Sequence, residues 1–129
     1  MERTMATLAP TKEDVIALRA FNRIADLWEL TGDERMTLLG VSRSTYERLA
    51  EGEHEMPRDL KERISYVLGI YKNLQILLPD PRAADGWIRR PNLAPLFNGA
   101  SALDRMLSGN VADLYVVRKY LDAECQGWY

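Results

Sequence analysis

The sequence predicts an all-α fold of about seven or eight helices. Apolar residues recur three and four apart through most of the chain, the spacing that lines one face of a helix. No segment alternates apolar and polar residues convincingly, as a half-buried strand requires. Proline, glycine, asparagine and capping residues cut the 129-residue chain into helix-length pieces. The composition, 47% hydrophobic and 28% charged, is that of a soluble globular protein with one modest core or two small, intertwined ones.

Residues 1–10 show no periodicity and end at Pro10, so they read as a flexible arm. Thr11 and Asp14 then stand at the spacing of a capping box. Val15, Leu18, Phe21, Ile24 or Ala25, and Trp28 follow at helical spacing, giving an amphipathic helix to about Leu30. Thr31-Gly32 breaks it, and Thr31 with Glu34 makes a second capping box before a short helix over Asp33 to Leu39.

Gly40 to Leu49, GVSRSTYERL, resembles the turn and recognition helix of a helix-turn-helix. Gly40 takes the sharp turn, Val41 anchors the corner and Ser42 caps the next helix. Tyr46 and Leu49 face inward. Arg43, Ser44, Glu47 and Arg48 face outward, where such a motif meets base edges and phosphates. Met36 stands where these motifs usually place a small alanine, which predicts looser packing of the two helices. The electrostatic footprint is poor, because Glu53 and Glu55 follow at once and the net charge is only −2. Arg58, Lys61 and Arg63 are the cations available to supplement it.

Met56-Pro57 opens a long helix whose face runs Leu60, Ile64, Val67, Leu68, Tyr71, Leu74 and Leu78. Its end, Leu74 to Leu78, is apolar on more than one side, so this helix is expected to join two halves and to offer a dimer surface. Pro79-Asp80-Pro81 stops it. Asp80 and Pro81 start a further helix as N-cap and first residue, ended by Arg89, Arg90 and Pro91. Pro91-Asn92 and Asn98-Gly99 are turn dipeptides. Ser101 caps a helix from Ala102 to Leu107, Gly109 closes it in the left-handed conformation, and Asn110 caps a last helix from Val111 to about Gln126. The domain reading is an arm at 1–10, a helix-turn-helix-like domain at 11–56, a connecting helix at 57–79 and a C-terminal helical domain at 80–129.

Trp87-Ile88, Pro91-Asn92, Gly99, Leu103, Met106-Leu107, Gly109, Val116, Leu121 and Gly127 resemble the C-terminal domain of bacterial Xre/MbcA/ParS-type antitoxins. The order and spacing of W-x-x-x-P-N, then G, then L-x-x-M-L-x-G carry the likeness. That resemblance implies a partner toxin of the RES-domain type, which degrades NAD or transfers its ADP-ribose. It implies that the C-terminal region occludes the toxin's active site, and that the N-terminal domain represses the operon. It also implies a homodimer within a toxin–antitoxin complex, and operator DNA as a second partner. Two other readings stay open: a stand-alone Xre-like transcription regulator whose C-terminal domain only dimerises, and a helical adaptor with neither partner.

For toxin contact, the residues singled out are Gly127, Trp128 and Tyr129, where two large aromatics follow a helix-stopping glycine, with Arg89, Arg90 and Asn92 on the turn. The aromatics are expected either to enter the NAD cleft, with the terminal carboxylate meeting the groups that hold the pyrophosphate, or to fold back onto their own domain.

Enzyme chemistry and a cofactor are not expected. His54, the sole histidine, reads as an exposed residue in an acidic turn, without the cluster that a metal site needs. No glycine-rich phosphate loop occurs. Cys125 lacks a histidine partner for nucleophilic catalysis, and as the single cysteine it fits a reducing, cytoplasmic setting. No apolar run approaches the roughly 20 residues that span a bilayer, and no secretory signal is visible.

Overall fold

The computed structural model describes residues 9–127. Seven α-helices and one 3-10 turn make up the described part, with no strand among those residues. They are α1 (Lys12–Leu27), α2 (Gly32–Leu39), α3 (Arg43–Ala50), α4 (Arg58–Leu77), α5 (Pro81–Gly86), the 3-10 turn Trp87–Arg89, α6 (Ala102–Met106) and α7 (Val111–Gln126).

The caps read from the sequence set most of these boundaries. Asp14 N–H donates to Thr11 Oγ1 at 3.1 Å, and Thr11 N–H donates to the Asp14 carboxylate at 3.2 Å. Thr31 and Glu34 repeat the arrangement at 3.1 and 2.9 Å, as do Ser101 and Asp104 at 3.0 and 3.2 Å. Each such cap contributes about 1 kcal/mol. Asn110 departs from expectation. It occupies the cap position of α7, but its side chain makes no capping bond. Ser108 takes over, accepting from Asn110 N–H at 3.1 Å and donating to Asp113.

Helix α1 stops at Leu27, three residues before Leu30. Glu29 turns left-handed at φ +56°, and Leu30 N–H returns to Ala25 O at 2.9 Å. A non-glycine residue in that conformation costs about 1–2 kcal/mol. Arg89 offsets the cost from sixty residues away. Its guanidinium donates to Trp28 O at 3.0 Å and Glu29 O at 2.9 Å, placing a cation on the negative end of α1.

One core runs through the whole body. Phe21, Trp28, Leu38 and Leu39 come from the first half, and Ile88, Met106, Leu114 and Leu121 from the second. Between them lies α4. It contributes Leu60, Ile64, Val67, Ile70 and Leu74, and it packs on α1 and α2 on one side and on α5 and α7 on the other. Each of these side chains contributes about 1.5–3 kcal/mol on burial. The long helix therefore packs against helices from both the first and the second part of the chain. Gly69 brings α4 and α7 close: the Arg118 guanidinium lies where a β-carbon would stand. Near the end of α4, Ile76 is half exposed, and Leu74, Leu77 and Leu78 line a small groove with Trp87, Tyr120 and Leu121.

Candidate functional site

The helix-turn-helix corner is built as its residues require. Gly40 ends α2 at φ +69°, its N–H returning to Thr37 O and the Val41 N–H to Met36 O. Ser42 accepts from Thr45 N–H at 3.2 Å and starts α3. Inside, Leu49 is buried, and Tyr46 donates to Asn22 Oδ1 at 2.7 Å, tying α3 to α1. Arg43, Ser44, Glu47 and Arg48 all lie exposed on the outer side. Arg43 pairs with Asp33 at 3.5 Å, both groups largely in solvent, a contact worth well under about 1 kcal/mol. Met36 is half-buried and borders an open hollow with Thr37, Val41 and Gly109.

The supplementary cations divide. Arg58 is exposed, and Lys61 reaches Asp14 at 3.5 Å. Arg63 is not available to DNA, which corrects the expectation placed on it. It is 9% exposed and donates to Asp59 at 2.9 Å, Gly109 O at 3.0 Å and Leu38 O at 3.4 Å. Its stem crosses the core edge and its head satisfies carbonyls at the end of α2 and before α7. His54 is half-buried rather than exposed, its ring against the Glu55 carbonyl. Among the described residues no group of three or more His, Cys, Asp or Glu could hold a metal ion. Burial raises the Cys125 thiol, with Asp122 and Glu124 adding to the effect, so it is held in its unreactive form.

The second surface is the turn after the 3-10 segment. Trp87 packs edge-on to Phe97 at 5.9 Å and stacks on Tyr120 at 6.5 Å, which seats the turn on α7. Pro91 and Ser101 form an isolated antiparallel bridge, and Asn92 frames the loop between them. Its N–H donates to Ala100 O at 3.0 Å, its carbonyl accepts from Gly99 N–H at 2.8 Å, and its side chain accepts from Ala94 N–H at 2.9 Å. Of the residues singled out here, Arg90 is exposed and lies over Gly86, whereas Arg89 and Asn92 are hydrogen-bonded within the fold.

Two family models match the chain. Residues 13–69 match the antitoxin Xre-like helix-turn-helix domain, and residues 73–127 match the antitoxin Xre/MbcA/ParS C-terminal toxin-binding domain. The chain belongs to the Xre/MbcA/ParS antitoxins. It is also 50% identical over 111 residues to "Uncharacterized protein y4oB" of Sinorhizobium fredii, covering 85% of this chain and 84% of that one. The antitoxin's part is thus to bind and neutralise a toxin. No helix among the described residues is long and apolar enough to cross a membrane.

Helix α7 runs to Gln126, and Gly127 caps its end with φ −65° and lies exposed. Trp128 and Tyr129 lie outside the described residues. The sequence reading missed Leu93, which is 91% exposed on the framed loop. A signal for it was present: a large apolar residue between Pro91 and Pro95, in a turn that no helical face claims.

Proposed function

We propose that this antitoxin neutralises a RES-domain toxin acting on NAD, by degradation or ADP-ribosylation, and represses its own operon. The match of residues 73–127 to a toxin-binding domain carries the neutralising role. The RES assignment rests on the resemblance of the W-x-x-x-P-N and L-x-x-M-L-x-G segments. In this reading Gly127, Trp128 and Tyr129 enter the toxin's cleft and an aromatic ring takes the place of a base of NAD. Arg90 contacts the rim, while Arg89 and Asn92 act indirectly by holding the turn. The test is deletion of 127–129, which lie past α7. The truncated chain should stay folded and bind the toxin, while NAD consumption or ADP-ribosylation returns. Full inhibition by the truncated chain would refute the plug.

For DNA, the supporting observation is the exposed outer side of α3, with Arg43, Ser44, Glu47 and Arg48 together. A dimer would double these contacts, and the exposed Ile76 at the apolar end of α4 is the place proposed for it. Light scattering that reports a monomer, both alone and with toxin, would refute the dimer.

A further inference from the structure

Among the described residues, the exposed large hydrophobic side chains fall into two kinds. Ile16, Leu27, Ile76 and Tyr115 lie on helices and keep 42–56% of their surface covered, whereas Leu93 is 91% exposed. Scattered apolar residues on a surface need no explanation, but they usually lean on a neighbour. Leu93 cannot, because its loop is fixed around it. Besides the three Asn92 bonds, Phe97 N–H and Asn98 N–H both donate to Ala94 O at 2.9 Å. Arg105 donates to Leu96 O at 2.9 Å, and Phe97 is buried against Trp87 and Tyr120. Pro91 and Pro95 stiffen both sides. The result is a rigid loop carrying a bare leucine into solvent.

A rigid, exposed apolar residue loses little conformational freedom on binding, which is the economy of a preorganised anchor. Three residues earlier in sequence, Arg90 is exposed, its guanidinium lying over Gly86. Both lie within residues 73–127, the stretch that matches a toxin-binding domain.

We propose that Leu93 is the knob by which the antitoxin docks, seated in an apolar socket on the toxin whose rim offers a carboxylate to Arg90. This rests on toxin binding by the C-terminal domain and not on the toxin's NAD chemistry or on the tail.

The experiment is calorimetric titration of the full chain into its purified toxin partner. Leu93→Ala should weaken binding about 10-fold and Leu93→Asp about 100-fold, whereas Leu93→Met should stay within about threefold of the parent. Arg90→Ala should weaken binding less and flatten its dependence on salt. All variants should keep the parent's circular dichroism and melting temperature. Binding by Leu93→Ala and Leu93→Asp within about threefold of the parent would overturn the proposal. So would a lowered melting temperature in Leu93→Asp, because it would show the side chain to be packed. A parent chain that does not bind this toxin would overturn the toxin reading and the docking knob together. The titration does not read NAD turnover, so loss of the RES assignment alone would leave the Leu93 result standing.

Discussion

Replacing Gly40 by alanine tests how the two halves are tied. Gly40 sits at φ +69°, and a β-carbon there would lie 2.7 Å from Arg63 Cζ and 2.9 Å from its Nε. The left-handed backbone alone costs an alanine about 1 kcal/mol. The guanidinium must also move, and it is held by Gly109 O at 3.0 Å and Asp59 at 2.9 Å. Loss of one hydrogen bond from a charged donor to a buried carbonyl costs about 2 kcal/mol. Gly40→Ala should therefore destabilise by about 3 kcal/mol, which lowers the melting temperature of a chain this size by 9–15 °C. Arg63→Ala should cost a similar amount by leaving Leu38 O and Gly109 O unpaired. In the double variant the clash is absent, so Gly40→Ala should cost only the backbone term of about 1 kcal/mol. The predicted coupling is about 2 kcal/mol, measured by urea denaturation of all four proteins. Additivity of the two single costs to within about 0.5 kcal/mol would refute this reading of the contact.

Other outcomes follow from the same geometry. Arg43→Ala and Arg48→Ala should each weaken operator binding by about 1–3 kcal/mol if the arginine reads a base; an unchanged affinity and salt slope in the double variant would show that α3 does not touch DNA. Arg89→Ala should lower stability by about 2 kcal/mol by uncapping α1, and a melting temperature within 2 °C of the parent would contradict that role. Gly69→Ala should be stabilising by about 1 kcal/mol only when Arg118 is also alanine, since the guanidinium otherwise fills the space; equal effects in both backgrounds would refute the contact. The Asp113 carboxyl is held below its ordinary value, first by the Ser108 hydroxyl and then by Arg105. Its contribution is present above the unfolded value of about 3.9 and is lost as pH falls through the lowered folded value, so Asp113→Asn should flatten the acid limb of a stability–pH curve.

Local chemistry was legible and distant chemistry was not. Thr11, Thr31, Ser42, Asp80 and Ser101 each announce a helix start because the capping partner lies two or three residues away. Gly40 and Gly109 announce left-handed stops for the same reason. The outward set on α3 follows from helical period once Tyr46 and Leu49 are taken as inward. Arg63 was misjudged, and the contacts of Arg89 within the fold were missed, because an arginine reads as a surface cation. Their partners lie 25 to 61 residues away, on carbonyls that no pattern marks. Glu29 hid the end of α1, since a left-handed glutamate has no signature of its own. Leu93 was passed over because exposure is a property of the folded loop, set by Asn92 and Phe97 rather than by Leu93.

Neutralisation of an NAD-acting toxin is read as NAD turnover or ADP-ribosylation by the purified toxin while the antitoxin is titrated in. Activity should fall to background at a fixed stoichiometric ratio and stay there. An active toxin in a saturated complex, or no complex at all, would show that the protein does not neutralise it.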